Sequence, residues 1–395
     1  MGRRVWSQPP QRWQFPEREH FFVTDVHADA DALLSSLEAT GGVVRRGSDG
    51  FILTARGRAA VFVMGGDYLD KGPSNLRVLR VLEQLLRSGA EVKLLAGNHD
   101  VRTLLGIACA GATDARLAHL FVRICPKVVP LLREMYDAYV ADVPGVVLED
   151  DDAVAARLLP GPSWWDEFPG LARGVVPPKR IRRELRRVRE KAEALPAALQ
   201  RAGMTMGMVG ASLRACEKHF LQPGGDFTWL QERLQVVHRA GSFLFCHAGV
   251  DDVVARTLSL SSAESLNARF AELLADDPFT LYNGPLGNMF RTKYRKQDFP
   301  FTDIGAACLR SSGVLGIVHG HRSHVRGQQV SVRNGIAHFE CDTSLDRNTR
   351  FACGLPGIGT AATIIGCDNV RAISNDRAAT RVLAAAPRDA SPIPA

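Results

Sequence analysis

The chain has 395 residues, of which 46% are hydrophobic and 23% are charged, as is typical of a globular protein with a sizeable core. This length exceeds one average domain, and it fits two domains or one large domain that carries an insertion. No stretch approaches 18 consecutive apolar residues, so the sequence predicts no membrane-spanning helix and no membrane partner.

The eight cysteines are scattered along the chain and include no C-x-x-C pair, which excludes a disulfide framework and a zinc ribbon. Residues 1–10 carry positive charge but lack the apolar run of a secretory signal. Both observations favour a cytoplasmic protein. We expect residues 1–20 to form an N-terminal extension.

The net charge of +7 is concentrated in residues 179–193, which contain eight basic and three acidic side chains. Ile181, Leu185 and Val188 recur there at helical spacing, so the segment predicts an amphipathic helix. We expect its basic face to be solvated; a wall for an anionic substrate and a nucleic-acid contact are the alternatives. Because the rest of the chain is nearly neutral, a nucleic-acid partner is not predicted.

Five short apolar runs along the chain predict buried strands. They span residues 21–24, 60–64, 92–95, 243–245 and 314–318. Between the second and third runs, Leu79, Leu82 and Leu86 share one face of a segment that opens with Pro and closes with Gly, which predicts a helix over residues 73–89. Residues 30–37 predict another helix.

The C-terminal part carries two hairpin patterns. Asn334 and Gly335 separate two alternating runs, residues 330–333 and 336–339, and Asn-Gly is the strongest two-residue hairpin signal. Residues 360–365 and 370–373 suggest a second hairpin. We therefore expect antiparallel strands towards the end of the chain.

The middle of the chain differs in character from both ends. Residues 109–240 show mainly helical periodicity, interrupted by Pro and Gly clusters near 160–178, and predict an insertion or cap. Residues 21–108 and 241–375 would then form an α/β core. From residue 376 to residue 395 the composition turns to Ala, Pro and Ser, which predicts a disordered tail.

A polar motif follows each of the five predicted strands. In chain order the motifs are TDVHA at 24–28, GDYLDKG at 66–72, GNHD at 97–100, HAG at 247–249 and GH at 320–321. Asp, His and Asn side chains on loops at one sheet edge can converge on one point. Such a mixed oxygen and nitrogen set suits Mn, Fe or Zn, and a pair of bridged ions is a common device for displacement at phosphorus.

These motifs resemble those of the calcineurin-like metallophosphoesterases, and within them the bacterial type of the phosphoprotein phosphatase branch. The family pattern runs GDxHG, GDxxDRG, GNHE or GNHD, HAG or HGG, then GH. The resemblance covers residues 21–108 and 241–375 and does not reach the middle segment. It implies an α/β (α+β) fold of four layers, in which two facing mixed β-sheets are flanked by helices, with a large, mainly helical insertion.

The resemblance also implies a site for two divalent metal ions, either Mn, Fe or Zn, with Asp67 bridging them. The implied ligands are Asp25, His27 and Asp67 for the first ion and Asp67, Asn98, His247 and His321 for the second. His99 would be the general acid that protonates the leaving oxygen. Asp70 would orient it, because a nearby carboxylate favours imidazolium and fixes its geometry.

Two basic residues would bind the substrate phosphate. Lys71 replaces the Arg that the family usually has, so the bidentate grip of a guanidinium is lost there. Arg291, within GNMFR, lies where the branch keeps a second phosphate-binding Arg. Ser323 replaces the second His of the GHxH pattern, which favours the phosphatase branch and makes His319 a neighbour rather than a ligand.

The sequence therefore predicts a metal-dependent phosphoester hydrolase, in which a metal-bridging water attacks a phosphomonoester in line. The substrate would be a phosphoprotein, as for a serine/threonine phosphatase, or a small phosphoester. One alternative is a nucleotide or dinucleoside-polyphosphate hydrolase, because the same loops serve that chemistry. Another is a non-catalytic scaffold, but every expected ligand position is intact. Specificity would lie mainly in residues 109–240.

Overall fold

The computed structural model describes residues 12–377 and 379–385. Within this part, the strands form two large sheets and one small hairpin. The strands are β1 (His20–Val23), β2 (Val43–Arg46), β3 (Gly50–Leu53), β4 (Val61–Met64), β5 (Glu91–Leu95), β6 (Leu234–Gln235), β7 (His238–Ala240), β8 (Phe243–Phe245), β9 (Gly316–His319), β10 (Gln329–Arg333), β11 (Ile336–Glu340), β12 (Ala361–Ile365), β13 (Asn369–Ser374) and β14 (Arg381–Ala385).

Helices surround these strands and fill most of the middle of the chain. They are α1 (Ala30–Ala39), α2 (Ala55–Ala59), α3 (Asn75–Arg87), α4 (Asn98–Ala108), α5 (Leu120–Ile124), α6 (Val129–Tyr139), α7 (Asp151–Leu158), α8 (Trp164–Leu171), α9 (Pro178–Ala202), α10 (Met206–Cys216), α11 (Thr228–Arg233), α12 (Asp252–Leu260), α13 (Ala263–Asp276), α14 (Pro278–Asn283), α15 (Pro285–Met289), α16 (Asp303–Ser311) and α17 (Arg347–Ala352), with a π-helical turn at Glu217–Leu221. Among the described residues, no helix combines the length and the apolar character needed to cross a membrane.

The two large sheets are both mixed. The seven-stranded sheet has the order β14-β13-β12-β1-β4-β5-β6, and the five-stranded sheet has the order β10-β11-β9-β8-β7. In the first, β1, β4, β5 and β6 run parallel, whereas β12 to β14 pair antiparallel. In the second, β8, β9 and β11 run parallel.

The two sheets pack face to face through an apolar layer. Phe22 of β1 lies with its ring centroid 6.0 Å from that of Phe245 in β8, and Val63 and Val318 share the same buried cluster. The opposite faces of the sheets are covered by helices, with α1 and α3 on the larger sheet and α12 and α16 beside the smaller one. The predicted fold of two facing mixed sheets flanked by helices is therefore confirmed.

The predicted hairpins are also present. Asn334 and Gly335 have φ angles of 51° and 78°, so both adopt the left-handed conformation that a tight two-residue turn requires. This turn joins β10 to β11, and β12 pairs with β13 in the second hairpin. The hairpin of β2 and β3 was not predicted. It buries one residue of β2 and two of β3, so neither strand has the continuous apolar run that identifies a buried strand.

The segment 109–240 contains α5 to α11, and its last residues supply β6 and β7 to the edges of the two sheets. The amphipathic helix predicted over residues 179–193 is part of α9, which buries Ile181 and Val188. Trp164 packs on Phe168 with ring centroids 4.7 Å apart, and its indole N–H donates to the Ala115 carbonyl over 2.7 Å. Phe279 of the core joins this cluster, which fixes the helical segment to the rest of the molecule.

The two ends of the described chain also belong to the core. Trp13 and Phe15, in the N-terminal extension, pack against Phe243 with ring centroids 5.1 and 5.3 Å away. The prediction of a disordered tail over 376–395 is wrong for Arg381–Ala385, which pairs antiparallel with β13 because Leu383 and Ala384 pack against the apolar layer. Residues 1–11, Ala378 and residues 386–395 lie outside the described residues.

Candidate active site

The five polar motifs meet because the strands that precede them are parallel neighbours. β1, β4 and β5 end at one edge of the larger sheet, and β8 and β9 end at the facing edge of the smaller one. The loops then bond to each other: the N–H of Asp25 donates to Gly66 O over 3.0 Å, and the N–H of His321 donates to Oδ2 of Asp25 over 3.0 Å. The topology therefore brings all five motifs to one place.

Several residues at this place have strained backbones. Positive φ angles occur at Asp25 (56°), His27 (43°), Asp67 (58°), Asp70 (77°) and His321 (66°). For residues other than glycine, such angles cost about 1–3 kcal/mol each and persist only where the surrounding structure fixes them. Clustering of this kind is common at functional sites.

Asp100 is the residue that fastens two of these loops together. Its Oδ2 accepts the N–H of Asp67 over 2.7 Å and that of Gly97 over 3.1 Å. Its Oδ1 accepts the N–H of Tyr68 over 2.8 Å and that of Leu69 over 3.1 Å. No role is predicted for Asp100 from the motifs above, although a carboxylate three residues into a helix, after GNH, is a pattern that predicts capping of backbone N–H groups. Burial and the neighbouring Asp67 raise the pKa of Asp100 to about 7.

Asp67 lies at the centre of the site, surrounded by imidazoles. Its Oδ2 is 3.4 Å from Nε2 of His247, 3.7 Å from Nε2 of His27 and 3.9 Å from Nε2 of His99. Burial opposes the charge of this carboxylate, but His247 and His99 outweigh it and hold the pKa of Asp67 well below its usual range. The carboxylate is thus anionic and in position to hold cations.

Two groups of side chains that share Asp67 could hold a metal ion. The first is His27, Asp67 and His99, and the second is Asp67, His247 and His321; within each group the ligand atoms lie within 4.8 Å of one another. Asp25 borders the first group, with Oδ1 3.8 Å from Nε2 of His27. Both groups combine carboxylate and imidazole, the ligand types that borderline divalent ions prefer.

Asn98 provides an independent test of this assignment. Its side chain is buried, and Oδ1 has no hydrogen-bond partner among the described residues. An unsatisfied buried acceptor is costly, so a group of this kind needs a partner such as a cation. Nε2 of His247 is likewise buried and has only its ionic contact with Asp67. The residues present therefore fit a metal.

His247 and His99 are both held in defined orientations. Nδ1 of His247 donates to Gly65 O over 2.8 Å, which directs Nε2 towards Asp67. Burial lowers the pKa of His247, but Asp67 and Asp25 outweigh this effect and raise it to about 10. Nδ1 of His99 lies 2.6 Å from Oδ2 of Asp70, so its Nε2 also faces the centre of the site. This geometry suits a proton donor, although His99 also belongs to one candidate metal group.

The two expected phosphate-binding residues both line the site. Nζ of Lys71 lies 2.6 Å from Nε2 of His27. Arg291 donates from Nη2 to Asn283 O over 3.2 Å, and burial lowers the pKa of its guanidinium to about 9. His319 lies elsewhere, because its Nε2 faces Nη2 of Arg322 over 2.9 Å.

A cavity of about 400 Å³ opens above these residues, and nine of its 25 lining residues are Lys or Arg, against five Asp or Glu. Its basic lining residues are Lys71, Arg102, Arg123, Arg180, Arg183, Arg187, Arg291, Lys293 and Arg295. Three of them, Arg180, Arg183 and Arg187, lie on α9. The expectation that the basic face of this helix is solvated is therefore wrong for one stripe of it, since helical periodicity alone does not reveal which polar side chains face a cavity.

Residues 21–141 match the family model of the calcineurin-like phosphoesterases. The chain carries a calcineurin-like phosphoesterase domain. It is a phosphoester hydrolase, and the matched residues include the first three of the five motifs. Members of this family use divalent metals, and the phosphoesterase domain of this chain contributes Asp67 to both candidate metal groups.

Solved structures similar to this phosphoesterase include a cold-active protein tyrosine phosphatase of a psychrophilic Shewanella species. It is 17% identical, with 95% of this chain and 83% of that chain covered and a TM-score of 0.45. A protein serine/threonine phosphatase from Saccharomyces cerevisiae is 11% identical, with 89% and 73% covered and a TM-score of 0.38. No curated protein matches the chain at a significant level.

Proposed function

We propose that the chain hydrolyses phosphomonoesters with two divalent metal ions held at the sheet edge. The observation that carries this proposal is the position of Asp67, which belongs to both candidate metal groups. Asp25 and His27 would complete one site with Asp67. Asn98, His247 and His321 would complete the other, and the unpartnered Oδ1 of Asn98 supports this assignment. Mn, Fe and Zn all suit these ligands.

Bound metal ions would polarise the phosphoryl group and lower the pKa of water. His99 would donate a proton from Nε2 to the leaving oxygen. Asp70 would keep this imidazole oriented through its 2.6 Å contact with Nδ1. Lys71 and Arg291 would contact the phosphate oxygens from the cavity wall, Lys71 as a point charge and Arg291 through a planar guanidinium.

Two classes of substrate are compatible with this proposed activity. A phosphoserine or phosphothreonine of a protein is compatible with the loops, as in a serine/threonine phosphatase. The arginine-rich lining favours the second candidate, a nucleotide or other small phosphoester with several negative charges. We also propose that the helical segment within residues 109–240 acts as the cap that selects the substrate, because α9 contributes to the cavity wall.

We propose a cytoplasmic location as well. All eight cysteines are free, which suits a reducing compartment.

Replacement of Asp67 tests the proposed function. Asp67→Asn removes the charge that would neutralise two cations, so we expect turnover of para-nitrophenyl phosphate with added Mn to fall to the uncatalysed background. The amount of bound metal should fall with it, while circular dichroism shows a folded protein. Asp142→Asn is the matched control, because Asp142 is exposed on the surface, and it should behave as wild type. Undiminished turnover by metal-stripped protein in the presence of chelator would contradict the proposal.

A further inference from the structure

In the part of the chain that the structure describes, three half-buried arginines of the cavity wall have no hydrogen-bond or ion-pair partner for the guanidinium, and the exposed Arg295 shares this property. Among the described residues, Arg102, Arg183 and Arg187 have no hydrogen-bond acceptor and no acidic partner within ion-pair distance. Nε of Arg102 is fully buried and unsatisfied. All three line the same cavity, so their like charges repel unless an anion lies between them.

Arg123 and Arg291 of this wall, by contrast, already have partners within the protein. Arg123 pairs with Glu184 and donates from Nη2 to the hydroxyl of Tyr282 over 3.1 Å. Arg291 donates to the Asn283 carbonyl. The protein thus satisfies Arg123 and Arg291, whereas the charges of Arg102, Arg183 and Arg187 remain available to a ligand in the cavity. A planar guanidinium is the side chain best suited to bind a phosphate through two hydrogen bonds.

Two of the three arginines, Arg102 and Arg187, lie on the side of His99, and Arg183 lies one helical turn before Arg187 on α9. A second cavity, of about 340 Å³, adjoins the first, and His99, Arg102 and Arg187 line both. Since His99 would protonate the leaving oxygen, the leaving group must lie next to its Nε2. A charged group carried by the leaving group would then come into contact with these arginines. The two volumes are in the range of pockets that bind small molecules.

We propose that Arg102, Arg183 and Arg187 form a second anion subsite, which binds a further phosphate group on the leaving-group side of a small bisphosphorylated substrate. This inference rests on the proposed function for the position of the first, scissile phosphate. The subsite recognises charge and needs no nucleobase. It makes a bisphosphate a better substrate than the matched monophosphate.

Two matched substrate pairs and two pairs of arginines on one helix test this inference. The substrates are 3′-AMP against adenosine 3′,5′-bisphosphate, and glucose 6-phosphate against glucose 1,6-bisphosphate. Wild type with Mn should favour each bisphosphate by about tenfold or more in kcat/KM. In Arg183→Gln/Arg187→Gln this preference should be lost, because one charge-assisted hydrogen bond alone contributes about tenfold or more.

The control is Arg182→Gln/Arg186→Gln, which removes two charges from the exposed side of the same helix and should keep the preference. Arg183→Lys/Arg187→Lys keeps both positive charges but loses the two-pronged hydrogen bonding of guanidinium. This variant should therefore keep part of the preference for the bisphosphate. Circular dichroism and metal content establish that each variant is folded. Equal kcat/KM for mono- and bisphosphates in wild type, or an equal loss in both variant pairs, would overturn the subsite.

A phosphopeptide with acidic neighbours is the competing ligand. If wild type preferred it to adenosine 3′,5′-bisphosphate, and Arg183→Gln/Arg187→Gln lost that preference, the small-molecule assignment would be overturned. If wild type hydrolysed none of these esters, the proposed function would fail separately. Calorimetric binding of adenosine 3′,5′-bisphosphate would still test the subsite: tight binding that weakens about tenfold or more in Arg183→Gln/Arg187→Gln supports it, and equal binding overturns it.

Discussion

The strand-end loops and helix α9 both face the cavity, but they are built in different ways. The loops place Asp25, Asp67 and His321 through strained backbones that other loop groups hold in place. Helix α9 has an ordinary backbone and presents its arginines through helical spacing alone. Reacting groups therefore need a rigid backbone, whereas a charged wall needs only side chains on a well-anchored helix.

The two regions are also stabilised differently. In the loops, one carboxylate, that of Asp100, accepts four backbone N–H groups. In the cap, the corresponding polar contact is between side chains, because Glu184 of α9 pairs with Arg123 of α5. A change in the loops should therefore affect catalysis first, and a change at Glu184 should affect stability first.

The largest effect that separates the two regions is expected at His99. His99→Asn removes the proposed proton donor, so kcat for an alkyl phosphate should fall by about 10²–10⁴-fold. The loss should be much smaller for para-nitrophenyl phosphate, whose leaving group needs no proton. Metal content should stay at the wild-type level. Equal losses for both esters would count against the acid role, and loss of metal would make His99 a ligand, as its place in one candidate metal group allows.

An intermediate effect is expected at Glu184. Glu184→Gln leaves the buried Arg123 without its counter-charge, which should lower the free energy of unfolding at pH 7 by about 3 kcal/mol, as measured by urea titration. Burial would raise the pKa of Glu184, but Arg123 and His119 outweigh it and lower the pKa to about 2.

This lowered pKa gives the sign of the pH dependence. The pair stabilises the folded state above the ordinary carboxyl pKa of 4.5, and this contribution is lost as the pH falls towards 2. Wild type should therefore lose more stability than Glu184→Gln between pH 4.5 and pH 2. Parallel curves for the two proteins would show that the pair adds nothing to stability.

The smallest effect is expected on the outer side of α9. The side chain of Arg186 is 69% exposed, and within the described part of the chain it pairs only with Glu190, over 3.5 Å. Arg186→Glu should change the free energy of unfolding by less than about 0.5 kcal/mol and kcat/KM by less than about twofold at 0.1 M salt. A large, salt-dependent rise in KM would show that the outer face also attracts substrate, which would remove the distinction between the two sides of the helix.

Much of the core could be predicted from the sequence because its signals are local. Asn334-Gly335 specifies a turn by itself, and each metal-site motif directly follows an apolar strand. The edge strand β14 was not predicted, because its composition resembles that of a disordered tail. Its order comes from pairing with β13, which local sequence does not reveal. The arginine wall follows from the sequence only as an alternative to a solvated helix face. Ile181 and Val188 identify the buried side of α9, but only the tertiary structure distinguishes Arg183, which faces the cavity, from Arg182, which does not.

The anchoring of α9 has a practical consequence for protein engineering. Trp164, Phe168, Ile181 and Val188 fix the helix through an apolar cluster that shares no side chain with the candidate metal groups. Substrate specificity could therefore be changed by substitutions at the inward-facing positions 180, 183 and 187 alone, with the apolar cluster left intact. A library at these three positions would sample new leaving groups on an unchanged hydrolytic centre.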